Sequence, residues 1–405
     1  MNNEFEDVWR RATPHVLGAL ARRHDNFADC EDAVQLALVA AAEQWPREGL
    51  PDNPTGWLIR VAGRRLIDLV RTDVSRRSRE ERTTRLTDAV ATAASESTVA
   101  DDTLLLLILC AHPALTPSSQ AALMLRAVAG LTTREIAMGF FVPEATMAQR
   151  ISRAKASLRD AGGRFQSPPR SELPARLHAV RHAVALLYTQ AHSLGEPSRS
   201  PGRTPDSLLP GIALRLSREL HRLAPTDPEN AGLLALLLLT QARAPARLDP
   251  AGELVPLEDQ DRRLWNREYI SEGIALIEKA LPTGYVGSFQ LQAAIAAVHA
   301  EGASTASTDW EQILVLYEML EQVDPTPAAT LGRAVATAEA IGPAAGLAIL
   351  AELPESSHRR HAAAGHMLSR LGRRDEARSE FLRAAELTRS IPEQRYLNRL
   401  GTQAI

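Results

Sequence analysis

Aromatic residues are scarce: 7 Phe, 5 Trp and 5 Tyr, or 4% of 405 residues. A β-sandwich or barrel of this length would draw its core from aromatic and β-branched side chains, so those folds are set aside. The 45% hydrophobic share is mostly Ala and Leu, which favour helix, and an all-α chain is expected. The two cysteines, Cys30 and Cys110, are too few for a disulfide framework or a multi-thiolate zinc site, and read as buried small apolar residues in a reducing compartment. Long apolar runs are missing too. Gly232–Thr240 is too short to cross a bilayer, and Met1–Arg11 lacks the apolar core of a secretory signal. The expectation is a soluble, cytoplasmic protein with no membrane partner.

Net charge is also small, at −3, but position changes its meaning. Residues 60–85 hold nine Arg against four acids, a local +5, and residues 144–164 hold five bases against two acids, a local +3. Residues 251–350 hold five bases against fourteen acids, a local −9. Two basic blocks at the front and acid behind them are a partner signal that the total conceals.

Helical spacing of Phe5, Val8, Trp9 and Ala12 opens the chain, and a second helix starts near Asp29 with acids in its first turn. Pro46, Gly49, Pro51 and Pro54 mark a loop. A third helix is expected from Pro54 to Arg77, with Leu58, Val61, Ala62, Leu66, Leu69 and Val70 on its apolar face. Residues 87–102 are small and polar, like a tether. A second helical unit follows from Thr103 to about Gly162, and Pro-rich breaks at Gln166–Pro174 and Gly195–Gly211 lead into further helices. The rear portion carries a degenerate helical-hairpin repeat with a period near 34 residues, of tetratricopeptide type. Its clearest unit, His361–Leu387, sets Gly365, Gly372, Ala377, Phe381 and Ala384 at the small and aromatic slots where paired helices cross. Ile313, Tyr317, Leu320 and Pro325 fit the second helix of an earlier unit, followed by Val335, Gly342 and Leu347.

Residues 131–159 carry the strongest motif. Thr132 or Thr133 N-caps a short helix containing Glu135, Ile136, Ala137 and Phe140, and Val142-Pro143 turns the chain into a second helix. There Met147, Ile151, Ala154 and Leu158 share one face, while Glu144, Gln149, Arg150, Arg153 and Lys155 lie elsewhere. A short helix, a tight turn and a basic amphipathic helix make a helix-turn-helix. Arg150 and Arg153 suit guanine or phosphate, Gln149 suits adenine, and Thr146 suits a thymine methyl or a phosphate. The competing reading is an amphipathic helix with a solvated charged face. Phe141 stands where many such motifs have Gly.

On the third helix Trp57, Arg60, Arg64 and Arg65 combine a ring for extruded bases with cations for phosphates, the pairing that single-stranded DNA requires. Core packing is the other reading of Trp57, and one indole can do both. Cys110 and His112 lack partners for a metal site, as do His178 and His182, and neither a Gly-rich phosphate loop nor Ser/His/Asp spacing is present. No catalytic residue, metal or cofactor is expected.

The segments ADCEDAVQLALVAAAEQW and NPTGWLIRVAGRRLIDLVR resemble region 2 of a sigma factor, and LTPSSQAALMLRAVAGLTTREIAMGFFVPEATMAQRISRAKASLRDAG resembles region 4. With only a tether between them, the layout resembles the extracytoplasmic-function group of the sigma-70 family. LLALLLLTQARAPARLDPAGELVPLEDQDRRLWNR, QLQAAIAAVHAE and TDWEQILVLYE resemble a subgroup with a tetratricopeptide-like C-terminal extension. The resemblance implies a promoter-specificity subunit of bacterial RNA polymerase and not an enzyme. Its domains would be region 2 over 1–80, a flexible linker over 81–102, region 4 over 103–165 and the helical extension over 166–405. Region 2 would contact the polymerase clamp helices through Asp29, Glu31, Asp32 and Gln35, and open the −10 element through Asp52, Asn53, Trp57, Arg60, Arg64 and Arg65. The family often has Glu where this chain has Leu36. Region 4 would read the −35 element through Glu144, Thr146, Gln149, Arg150, Arg153 and Lys155, and contact the polymerase flap. The extension would modulate these contacts in cis, its acid competing for the Arg-rich helices, or present only a solvated face. The alternative is a stand-alone helix-turn-helix regulator with a helical sensory domain, which would need no region 2. A third reading is an interaction scaffold.

Overall fold

Side-chain caps set the starts of many helices. In the computed structural model, which describes residues 3–24, 26–77, 96–140, 142–193, 209–284, 286–388 and 390–403, Asn26 accepts from the Ala28 N–H and Thr116 from the Ser119 N–H, the latter just before Pro117. Asp227, Asn266, Asp309, Thr326 and Ser357 do the same for later helices. Each cap satisfies an amide that the first helical turn leaves unpaired. The described residues are all-α, apart from one isolated antiparallel bridge, Leu248–Leu254.

The chain divides into two compact units, residues 1–187 and 188–405. The first contains α1 (Asn3–Ala21), α2 (Phe27–Glu48), α3 (Pro54–Arg77), α4 (Glu96–Cys110), α5 (Pro117–Ala127), α6 (Thr133–Gly139), α7 (Glu144–Asp160) and most of α8 (Leu173–Ser193). Helices α1, α2 and α3 pack on one another, as do α6 and α7, and α1 also packs on α4. Trp45 is fully buried at the middle of an aromatic cluster, with ring centroids 6.2 Å from Phe5, 6.1 Å from Trp9 and 5.6 Å from Trp57.

The second unit holds α9 (Leu209–Leu223), α10 (Pro228–Ala242), α11 (Arg267–Ala280), α12 (Ser288–Glu301), α13 (Trp310–Val323), α14 (Pro327–Ala340), α15 (Pro343–Leu350), α16 (His358–Arg370), α17 (Arg374–Leu387) and α18 (Ile391–Gln403). Neighbours in sequence pack together, and apolar clusters shared by successive helices are buried between them. Small residues let the helices approach. A Cβ on Gly365 would fall 2.7 Å from the Phe381 ring, and one on Gly346 would fall 2.6 Å from the Ala334 carbonyl oxygen.

Three local expectations change. Helix α2 runs through Pro46 to Glu48, its backbone held by Trp45, which is buried in the aromatic cluster just before the proline. Residues 96–102, read as tether, are the first turns of α4. Pro143 stands just outside α7 as its N-cap, with ψ 144°. Residues 78–95, which include most of the expected linker and the end of the basic block, lie outside the described residues, as do Phe141 and 194–208 within the break before α9. Among the described residues no helix is long and apolar enough to cross a membrane.

Candidate nucleic-acid interface

Helix α6 begins with a reciprocal cap. The Glu135 N–H donates to Thr132 Oγ1 at 3.2 Å, and the Thr132 N–H donates to Glu135 Oε2 at 2.8 Å. After α6 the chain closes with a Val142 N–H to Ala137 carbonyl bond at 3.1 Å, and α7 follows. Met147, Ile151, Ala154 and Leu158 form the buried face of α7. Glu144, Thr146, Gln149 and Arg153 are exposed. Arg150 is half-buried, its guanidinium carbon 5.7 Å from the centroid of the Phe140 ring, which stacks the cation against the preceding helix.

Lys155 departs from the expected DNA-facing set. Its Nζ donates to Glu31 Oε2 at 2.9 Å and to Asp32 Oδ1 at 2.5 Å, both on α2. Burial alone would lower its pKa, but the two carboxylates outweigh that and leave it raised. Glu31 is 2% exposed, and its other oxygen accepts from Arg126 Nε at 2.8 Å. A buried carboxylate needs such cations, because desolvation would otherwise cost several kcal/mol. Arg10 on α1 donates from Nη2 to Glu135 Oε1 at 2.8 Å, so the carboxylate that caps α6 also binds α1. Arg22 Nε donates to Asp102 Oδ1 at 2.8 Å, with the Asp102 side chain 5% exposed. Gly18 makes room for that carboxylate: a Cβ there would sit 2.7 Å from it.

Of the candidate polymerase contacts on α2, Glu31 is therefore buried and occupied, Asp32 is exposed but paired, and Asp29 accepts from Asn26 Nδ2 at 2.7 Å. Gln35 is half-buried. Sequence reasoning missed Val39. With Leu36 it forms an exposed apolar strip on α2, at 56% and 42% exposure. The signal was an apolar pair spaced by three residues beside Asp32 and Gln35.

On α3, Arg60, Arg64 and Arg65 are exposed, and Trp57 is half-buried, one edge against Trp45. The Trp57 ring packs on Trp45 and remains partly exposed. Asp52 is exposed. Asn53 Oδ1 accepts from the Gly56 N–H at 2.8 Å, so that oxygen caps α3.

The chain thus holds an Arg-bearing helix with a surface indole and a separate helix-turn-helix, in that order. Residues 8–76 match the family model described as Sigma-70 region 2, and residues 105–158 match Sigma-70, region 4. The chain belongs to the sigma-70 family. This sigma factor also matches a family of unknown function over residues 176–281. It is similar to an uncharacterized protein of Rhizobium meliloti (strain 1021), 42% identical over 399 residues that cover 95% of this chain and 92% of that one. Its two sigma-70 regions give it a role in promoter recognition with RNA polymerase core.

Proposed function

We propose that this sigma factor belongs to the extracytoplasmic-function group, that it directs core polymerase through region 2 at the clamp helices and region 4 at the flap, and that the first unit described here is its closed, polymerase-free state. The observation that carries the reading is the set of ion pairs joining the two regions. Lys155, from the helix that would read DNA, is bound to Glu31 and Asp32, from the helix that would meet the clamp. A lysine held by two carboxylates is not available to a phosphate, and paired carboxylates are not available to a basic coiled coil. Both partners therefore require the pairs to part.

In the open state Asp29, Glu31, Asp32 and Gln35, together with the Leu36 and Val39 strip, would face the clamp. Arg60, Arg64, Arg65 and Trp57 would hold the separated −10 strand, with Asp52 and Asn53 beside them. Glu144, Thr146, Gln149, Arg150, Arg153 and the released Lys155 would lie at the −35 major groove. The extension, a tetratricopeptide-like array in this reading, modulates these contacts in cis through its acidic stretch over 251–350.

Arg10 and Arg126 test the closed state, because each ties the regions together without belonging to either contact set. The expected result is that Arg10→Gln combined with Arg126→Gln raises core affinity and genomic run-off transcription several-fold. Lower core affinity in a variant that keeps its helical content would contradict the closed-state reading.

A further inference from the structure

In the segment matching the family of unknown function, Arg243 and Arg262 gather at one indole, and the Glu393 carboxylate nearby acts on the next arginine, Arg247. Arg243 follows the end of α10, and Arg262 lies in a short turn before Trp265. The Arg262 guanidinium carbon is 4.6 Å and that of Arg243 is 5.5 Å from the centroid of the Trp265 ring, which is 2% exposed. Arg262 Nη1 donates to the carbonyls of His299 and Gly302, while its Nη2 is buried with no hydrogen-bond partner. The Trp265 Nε1 and His299 Nδ1 atoms are likewise buried without partners. Among the described residues neither Arg243 nor Arg262 has an ion-pair partner, and the adjacent acid, Asp261, is turned outward to Arg263. Burial, Arg247 and Arg262 push Arg243 down to about 10, and burial with Arg243 and Arg262 pushes His299 down to about 4. Both values leave Arg243 charged and His299 neutral at pH 7.

Two partly buried cations on one ring, each held below its ordinary pKa by burial and Arg243 further by Arg262, are costly. A cation–π contact returns about 0.5–2 kcal/mol, less than the several kcal/mol that desolvating an unpaired charge costs. The deficit is removed by an anion that accepts from the open nitrogens. A carboxylate is planar and is served by one guanidinium fork. Here donors come from two arginines and an indole, and the charge to be balanced is two. We infer that Arg243, Arg262 and Trp265, with His299 beside them, form a binding site for a small phosphate-type dianion in the second unit. A site of this kind gives the extension a metabolite input independent of any DNA or polymerase contact.

Isothermal titration of the full chain, without polymerase or DNA and at constant ionic strength, tests this with inorganic phosphate, pyrophosphate, a sugar phosphate and malonate. Saturable binding of inorganic phosphate, tighter than that of malonate, is expected. Arg243→Gln should weaken it by about tenfold to a hundredfold, the range for losing a charge-assisted bond. Trp265→Phe keeps an aromatic face for the cations but removes the N–H donor together with the five-membered ring, so it carries the test if the arginine variant does not fold, once its helical content is shown to match the parent's. Arg263→Gln, an exposed control, should bind as the parent does. A sugar phosphate that outbinds inorganic phosphate identifies the ligand as an ester, and the reverse identifies it as free phosphate. No saturable binding of any phosphate, equal affinity for malonate, or unchanged binding in folded Arg243→Gln and Trp265→Phe would overturn the site. None of these outcomes bears on whether the chain is a polymerase subunit.

Discussion

Glu31 carries more of the first unit than any other acid described, because its two oxygens serve cations from two separate helices while its side chain is 2% exposed. Removing one member of a buried ionic group leaves the others uncompensated, at about 3–5 kcal/mol. Glu31→Ala is therefore expected to lower stability by that order in urea unfolding, whereas Asp29→Ala, outside the bridge, should cost about 1 kcal/mol or less. Cysteine behaviour is fixed at the same scale. Cys30 and Cys110 are free and buried, and burial pushes Cys30 up to about 12 and Cys110 higher still. A thiol-reactive dye at pH 8 should label neither in the native protein and both in urea. Both residues were readable from sequence as small buried apolar groups. The Glu31 bridge was not, since its partners lie 95 and 124 residues away and no local pattern pairs them.

Among elements, α12 and its neighbours give a pH signature. His299 has its folded pKa depressed to about 4 from 6.5 by burial and by Arg243 and Arg262. The unfolded chain therefore binds the extra proton first. Stability from this group is complete above pH 6.5 and is lost as pH falls towards 4, by about 3 kcal/mol in all. In phosphate-free buffer, thermal unfolding of the second unit should shift downward over that window, and His299→Gln should flatten the dependence. Element boundaries were legible wherever a side chain caps or a proline starts a helix: Pro54 opens α3, Thr116-Pro117 opens α5 and the Thr132/Glu135 pair opens α6. They were illegible where packing overrides local preference. Helix α2 continues through Pro46 because Trp45, just before it, is anchored in the aromatic cluster. Helix α4 starts inside the polar stretch, where Asp102 is held by Arg22. The phrase QARAPARLDPAGELVPLEDQDRRLWNR carried a resemblance in the sequence, but no spacing in it pairs Arg243 with Arg262, which the fold brings to one indole.

For the whole molecule, the net −3 conceals two basic blocks whose described parts lie mainly on α3 and α7, within the segments matching sigma-70 regions 2 and 4. The helix-turn-helix and the Arg-bearing helix were legible because spacing alone defines their faces. The state of the molecule was not, because it depends on which surfaces meet. Lys155 illustrates the difference: its place on α7 suits DNA, yet its ammonium is bound to α2. Its raised pKa means the Lys155 contribution is present throughout neutral pH and is lost only as pH rises through that folded value, so a mild pH change is not what opens the bridge. The measurement that tests the account most directly is genomic run-off transcription with bacterial core polymerase, read together with permanganate reactivity of thymines at the start sites found. The account predicts chain-dependent initiation at discrete sites with opened −10 thymines, both increased by the Arg10→Gln, Arg126→Gln pair. Duplex DNA binding without core, and no thymine opening with it, would contradict the account.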